Sequence, residues 1–211
     1  MNKRGILVVV SGFSGSGKGT IMKQLLEEHA DTYALSISAT TRAPRPGETH
    51  GKEYFFVSRE EFEEMIRQGA LIEHAQYVNN YYGTPKDYVY QQLEMGRDVI
   101  LEIEIQGALK VKKAYPETLL LFVSPPGAEE LKHRLVDRGT EDEATIASRL
   151  SRAWQEAQGV ENYDYFIIND NLEECVQEVH SIIRSEHARV ARNHVLIEHI
   201  RAELKNFAKG E

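Results

Sequence analysis

The residues with the clearest chemical purpose are Gly12-Phe13-Ser14-Gly15-Ser16-Gly17-Lys18-Gly19-Thr20. Their glycines let the backbone turn tightly and aim successive N–H groups inward. The apolar run Ile6-Leu7-Val8-Val9-Val10 precedes them and the helix-like run Ile21-Met22-Lys23-Gln24-Leu25-Leu26 follows. Strand, glycine-rich turn and helix form the setting in which a loop cradles phosphate. The unpaired N–H groups and positive dipole end of the helix face the anion, and Lys18 adds a point charge. The pattern predicts binding of a nucleoside triphosphate. The residue after Lys18 is Gly19, so the first hydroxyl is on Thr20. A Ser or Thr directly after the lysine ordinarily ligates Mg²⁺, but this cation keeps several waters and can be held through phosphate oxygens. The spacing therefore points to small nucleotide kinases rather than to GTPases or motor ATPases.

Three further groups of side chains could serve ligands. Thr40-Thr41-Arg42-Ala43-Pro44-Arg45-Pro46-Gly47-Glu48 cannot form regular structure, yet concentrates two arginines whose forks match phosphate oxygens. The segment Val99–Ile105 reads as a strand with Glu102 and Glu104 on one face near its carboxyl end, where open parallel sheets gather ligands. From Gly127 to Gln158 two polar helices broken at Gly139-Thr140 carry Arg134, Arg138, Arg149 and Arg152. Such helices read as a lid closing over phosphates.

These groups need a scaffold, and 211 residues suit one α/β domain with a substantial core. Composition is that of an ordinary globule, 41% hydrophobic and 27% charged. The net charge of −8 and the lack of a basic stripe argue against nucleic-acid binding. The single Cys175 excludes an internal disulfide framework and, set among Leu172, Val176 and Val179, reads as a core thiol. No apolar run approaches about eighteen residues and no leader pattern is present, so the expectation is a cytoplasmic protein with no membrane contact.

Along the chain, Leu35–Ser38 reads as a short strand and Tyr54–Val57 as another. Ser58 and Glu61 form a capping box for a helix over 59–68. Leu71–Tyr77 turns at Asn79-Asn80 into Tyr81-Tyr82-Gly83-Thr84, a tyrosine-rich β segment, and Pro85 starts a helix ending near Gly96. Leu119–Val123 and Tyr165–Ile168 are further strands, and Asn171 caps a helix from Leu172 with apolar residues at helical spacing. Beyond Arg184 the pattern weakens through His187, His194 and His199, without metal-ligand spacing.

The phosphate loop, arginine loop, tyrosine-rich segment and lid, in this order over about 6–184, resemble the bacterial-type guanylate kinases. The resemblance implies a P-loop three-layer α/β fold with a central, mostly parallel sheet. It divides the chain into a kinase domain over 5–184 (core 5–34, 96–126 and 159–184, GMP-binding insert 35–95, lid 127–158) and a helical tail over 185–211. It implies transfer of a phosphoryl group from ATP to GMP, giving ADP and GDP, with Mg²⁺ as cofactor, dGMP as a weaker acceptor and self-association as a possibility. Gly12–Gly19 with Thr20 would cradle ATP, and Asn169 would lie beside the adenine. Ser38, Arg42, Arg45 and Tyr54 match the set for the GMP phosphate. Glu73, Tyr82 and Thr84 match residues around the guanine and its phosphate, and Glu104 an acidic position near guanine and metal. Lys18, Arg42, Arg134, Arg138 and Arg149 would act in catalysis. No direct protein ligand to the metal is assigned; Glu102 and Glu104 stand nearest. This chain has Glu-Ile-Glu where many relatives carry Asp-x-Asp.

The residue chemistry agrees with that resemblance. Guanine offers N1–H and a 2-amino group as adjacent donors and O6 as acceptor. The Glu73 carboxylate can accept both donors and the Thr84 hydroxyl can donate to O6, whereas adenine would set a lone pair against the carboxylate. Two rivals make distinct predictions. A scaffolding domain of this fold would bind phosphopeptide without turnover, and a kinase for AMP or dTMP would lack use for Glu73.

Overall fold

The structure is a computed structural model describing residues 4–77, 79–137 and 142–208. In chain order it begins β1 (Leu7–Gly12), α1 (Lys18–Glu28), β2 (Tyr33–Leu35), β3 (Ala39–Thr40), β4 (Phe55–Phe56) and α2 (Arg59–Arg67). There follow β5 (Leu71–Tyr77), β6 (Asn80–Pro85), α3 (Lys86–Glu94), β7 (Asp98–Glu102), α4 (Ile105–Ala114) and β8 (Leu119–Ser124). The chain continues with α5 (Ala128–Asp137), α6 (Glu143–Ala157), β9 (Tyr165–Ile168), α7 (Leu172–Glu186) and α8 (His194–Ala208).

Strands β2-β7-β1-β8-β9 make a wholly parallel sheet in that order. Its strands are apolar on both faces because helices cover both. Val8 and Val10 of β1 join Ile21, Leu25, Val176 and Val179 beneath α1 and α7. Leu7 and Val9 point the other way, with Val89, Leu93, Ala108 and Val111 beneath α3 and α4. This alternation is the period-two rule of a strand used on both sides. Cys175 is buried in the first layer, where burial raises its thiol pKa to about 11, a core thiol as its neighbours in sequence implied.

A second sheet, ordered β4-β3-β6-β5, holds the tyrosine-rich segment. Helix α2 packs Phe62 beside Ala39 and Leu71, and its start carries the reciprocal Ser58–Glu61 capping box. Helix α3, grouped with the insert by resemblance, has Val89 and Leu93 in the core of the large sheet.

Two strand expectations need correction. The segment Leu35–Ser38 is not one strand. β2 ends at Leu35, Ser36 makes one more bond to Ile100 O (2.8 Å), and the chain then crosses to the second sheet as β3. Likewise β7 ends at Glu102, and Glu104 is the residue flanking the first turn of α4 rather than a strand residue. Asn171 caps α7, accepting from Glu174 N (3.1 Å). Among the described residues of the tail, α8 buries none. No helix among the described residues is long and apolar enough to cross a membrane.

Candidate active site

The loop between β1 and α1 sits at the carboxyl end of the central strand, next to the ends of β7 and β8. Two glycines are required by space. A Cβ at Gly12 would lie 2.1 Å from Val123 O, and one at Gly17 would lie 2.3 Å from Asn169 Nδ2. Gly17 also has φ +87°, a left-handed conformation costly for other residues. Asn169 Nδ2 donates to Ser16 O (2.8 Å) and so holds the loop from behind. Ser16 is fully buried, and its hydroxyl has no hydrogen-bond partner among the described residues. Gly17→Ala is therefore expected to destabilise the fold by about 1–3 kcal/mol. It should also reduce the upward shift of Tm produced by ATP; thermal denaturation with and without nucleotide measures both.

Lys18 Nζ donates to Gly12 O (2.6 Å) and Phe13 O (3.2 Å), so its charge stands at the mouth of the loop. A cavity of about 210 Å³ opens there, lined by Gly12, Lys18, Glu102, Ile103, Glu104, Ile105 and Glu156. Gly19 and Thr20 are exposed in the first turn of α1. Nothing lies within 4 Å of a Cβ built on Gly19. A serine there would fit, so the absence of a hydroxyl at this position is not imposed by packing.

The two helices over the loop converge on it through different atoms. Arg149 of α6 donates from Nη1 to Ser14 Oγ (3.0 Å). Arg134 of α5 donates to Glu130 Oε1 (2.6 Å) and to Asn169 O (2.9 Å), linking α5 to the residue that supports the loop. Phe13 of the loop packs on a small core formed between α5 and α6 by Leu131, Leu135 and Ala153. Arg138 and the Gly139-Thr140 break lie outside the described residues.

The second sheet gathers the other group. Arg42 forks onto Glu48, Nη1 to Oε2 and Nη2 to Oε1, both at 2.9 Å. Its guanidinium carbon stands 5.3 Å from the Tyr54 ring centroid and 5.7 Å from that of Phe56. The Glu48 fork pushes Arg42 above its ordinary pKa, with Tyr82 adding to the rise. Arg42 in turn holds the Glu48 carboxyl below the usual range. Tyr54 and Tyr82 meet edge to face, 6.1 Å between centroids. Arg45 is exposed and Ser38 half-buried, at the rim of this sheet.

Glu73 of β5 and Thr84 of β6 are neighbours across the hairpin. Thr84 is fully buried and its Oγ1 donates to Glu73 Oε1 (2.9 Å). Burial raises the Glu73 pKa, while the Thr84 bond and the charge of Lys110 oppose the rise. A Cβ at Gly107 would meet Glu73 Oε2 at 3.8 Å, so this carboxylate faces the start of α4. Glu104 sits at that same helix start but is held by Arg152 of α6, Nη2 to Oε1 at 2.7 Å. Arg152 also donates to Glu156 Oε1 (3.0 Å). In the sequence Arg152 stands only among the arginines of 127–158; its Glu156 contact lies in the local i,i+4 pattern, but its tie to Glu104 depends on a partner distant in the chain. Among the described residues no group of three or more His, Cys, Asp or Glu is arranged to hold a metal ion.

A glycine-rich loop thus meets the arginines of α5 and α6 at the end of the central strand, and the second sheet adds an arginine–carboxylate fork and a carboxylate–hydroxyl pair. The family model described as Guanylate kinase matches residues 4–186. The guanylate kinase of Clostridioides difficile is 52% identical over 203 residues, 96% of this chain and 98% of that protein. That of Bacillus subtilis is 48% identical over 192 residues, 91% of this chain and 94% of the relative. The crystal structure of guanylate kinase from Anaplasma phagocytophilum superposes with TM-score 0.69 at 34% identity, covering 90% of both chains. The loop, α5, α6 and the second sheet all lie within the matched residues, and the chain belongs to the guanylate kinase family.

Proposed function

We propose that this chain transfers the γ-phosphoryl group of ATP to GMP, releasing ADP and GDP. A phosphate oxygen of GMP attacks the γ-phosphorus in line. The bond to the β,γ-bridging oxygen breaks and its electron pair leaves on ADP. The acceptor is already an anion, so no side-chain nucleophile is needed. Catalysis then consists of bringing two polyanions together and neutralising the group in flight. The loop N–H groups and Lys18 hold the donor. Arg134, Arg149 and, in our reading, Arg138 supply charge when the lid closes, which also excludes water from the γ-phosphate.

The observation that carries the choice of acceptor is the Glu73–Thr84 pair, a carboxylate and a hydroxyl in contact at 2.9 Å within a largely buried corner. Guanine satisfies Glu73 with its N1–H and 2-amino groups, and the Thr84 hydroxyl then turns from Glu73 to O6. Ser38, Arg42, Arg45, Tyr54 and Tyr82 hold the GMP phosphate, with Glu104 at the guanine side of α4. Asn169, which supports the loop from behind, borders the adenine. dGMP presents the same guanine and phosphate to these residues, so we propose it as a second and weaker acceptor.

Mg²⁺ suits this cleft. Glu102 and Glu104 bring hard oxygen donors to the cavity that Lys18 lines. Gly19 offers none, so ATP phosphates and water would provide most ligands, with the two carboxylates acting through water. When bound, the cation supplies further positive charge to the β- and γ-phosphates. We retain the division into core, insert, lid and tail as a proposal, with self-association left to measurement of mass in solution.

The reaction is tested with γ-labelled ATP and GMP. Label appearing in GDP supports transfer, whereas label released only as inorganic phosphate would contradict it.

A further inference from the structure

We propose that Glu48 is a positioning residue that sets the orientation of the acceptor-phosphate clamp. This rests on the reading that Arg42 and Arg45 hold the phosphate of GMP. The arginine loop has no regular structure to fix its side chains, and one carboxylate does that work. Glu48 Oε2 accepts from Arg42 Nη1 (2.9 Å) and from the backbone N–H of Arg45 (2.7 Å), while Oε1 accepts from Arg42 Nη2 (2.9 Å). The Glu48 N–H in turn donates to Arg45 O (3.0 Å), closing the turn on itself. Both arginines are thus tied to the same side chain, one by its head and one by its backbone.

The hydrogen-bond inventory of Arg42 shows what the tie leaves available. A guanidinium has five N–H donors. The end-on fork to Glu48 uses one from each Nη, and the second Nη1–H donates to Ala43 O (2.8 Å). The Nε–H and the outer Nη2–H are used by neither Glu48 nor Ala43, and the Tyr82 hydroxyl, itself among the residues read as holding the phosphate, also bonds this guanidinium. These two N–H groups lie on one edge and point the same way, the side-on fork that matches two oxygens of a phosphate. Tyr54 and Phe56 fix the plane of the group through their rings. Glu48 therefore selects which edge of Arg42 faces the acceptor. A carboxylate so near a phosphate site repels the ligand, and its presence is explained only if the orientation it imposes outweighs that repulsion.

Glutamine is a poor substitute. It can keep one oxygen at the Oε2 position, but its amide NH₂ then faces the Nη2 donor of Arg42. The test compares wild type, Glu48→Gln, Glu48→Ala, Arg42→Ala and the Glu48→Ala/Arg42→Ala double variant. Steady-state KM and kcat are measured for GMP, and KM for ATP. Glu48→Gln and Glu48→Ala should each raise KM for GMP about tenfold or more, leaving kcat and KM for ATP within about twofold. With Arg42 already replaced, the Glu48→Ala effect should shrink to about twofold, because its route to the ligand is gone. An effect of full size in the Arg42→Ala background would overturn the proposal and make Glu48 a general support of the loop. Wild-type KM in both Glu48 variants, with Arg42→Ala impaired, would overturn it while leaving the phosphate clamp intact. Wild-type KM for GMP in Arg42→Ala would instead remove the clamp itself, and the proposal with it.

Discussion

Replacing Lys18 with alanine is expected to lower kcat about a thousandfold while GMP affinity stays within about twofold. The reasoning begins with charge. The chain carries a formal net charge of −8, so the positive field around two nucleotides comes from a few local groups. Lys18 is the one anchored in the phosphate loop itself, its Nζ held by the carbonyls of Gly12 and Phe13 at the cavity mouth. Charge builds on the transferring group and the departing oxygen as the bond breaks, so a fixed ammonium there contributes more to the transition state than to the ground state. The acceptor clamp on Arg42 lies in a different sheet and does not depend on Lys18. Stopped turnover with unchanged GMP binding by calorimetry would match the account. Turnover near wild type would remove the loop from the chemistry. Loss of both would point to unfolding, which a far-ultraviolet circular dichroism spectrum detects.

Glu73→Ala is expected to weaken GMP binding about a hundredfold or more and leave ATP binding unchanged. Two charge-assisted bonds to guanine are lost, each worth roughly 1.5–3 kcal/mol. Discrimination against AMP should fall by a comparable factor, because nothing then opposes the lone pair on adenine N1. The same residue predicts a pH effect. Burial raises the Glu73 pKa, so folding favours its neutral form. The group's contribution to stability therefore declines as pH rises from the ordinary carboxylate range through the raised value. Guanine has the opposite preference, since its two N–H donors favour the anion. GMP affinity should thus fall as pH drops through the raised pKa, and this part of the profile should be absent in Glu73→Ala. Unchanged GMP affinity in the variant would take Glu73 out of the guanine site.

The parts of this site legible in the sequence are those where one local segment contains all the constraints. The phosphate loop is such a case, because glycine spacing, flanking strand and helix start are contiguous. Glu73 and Thr84 were legible through the family resemblance rather than by local pattern, and the pairing of β5 with β6 brings their side chains into contact. The turn comes one residue earlier than Asn79-Asn80, since Asn80 already pairs with Tyr77 in β6. What was not legible depends on distant partners. Asn169 braces the loop through Ser16, from the far edge of the sheet. Glu104 looked like a strand carboxylate facing ligand, but the strand stops two residues earlier and Arg152 of α6 takes the side chain. Leu35–Ser38 alternated as a strand should, yet only Leu35 belongs to the first sheet and the second takes up the chain just beyond, at Ala39. Glu48 lay in plain view within the arginine loop, but only the fold reveals that its carboxylate serves both arginines.

The central claim is that this cleft phosphorylates GMP and reads guanine. A coupled assay of ADP release, with ATP, Mg²⁺ and each of GMP, dGMP, AMP, CMP, UMP and dTMP, tests it most directly. The account predicts strong turnover with GMP, weaker turnover with dGMP and almost none with the rest. Turnover favouring another monophosphate, or none with any while nucleotides still bind, would contradict it.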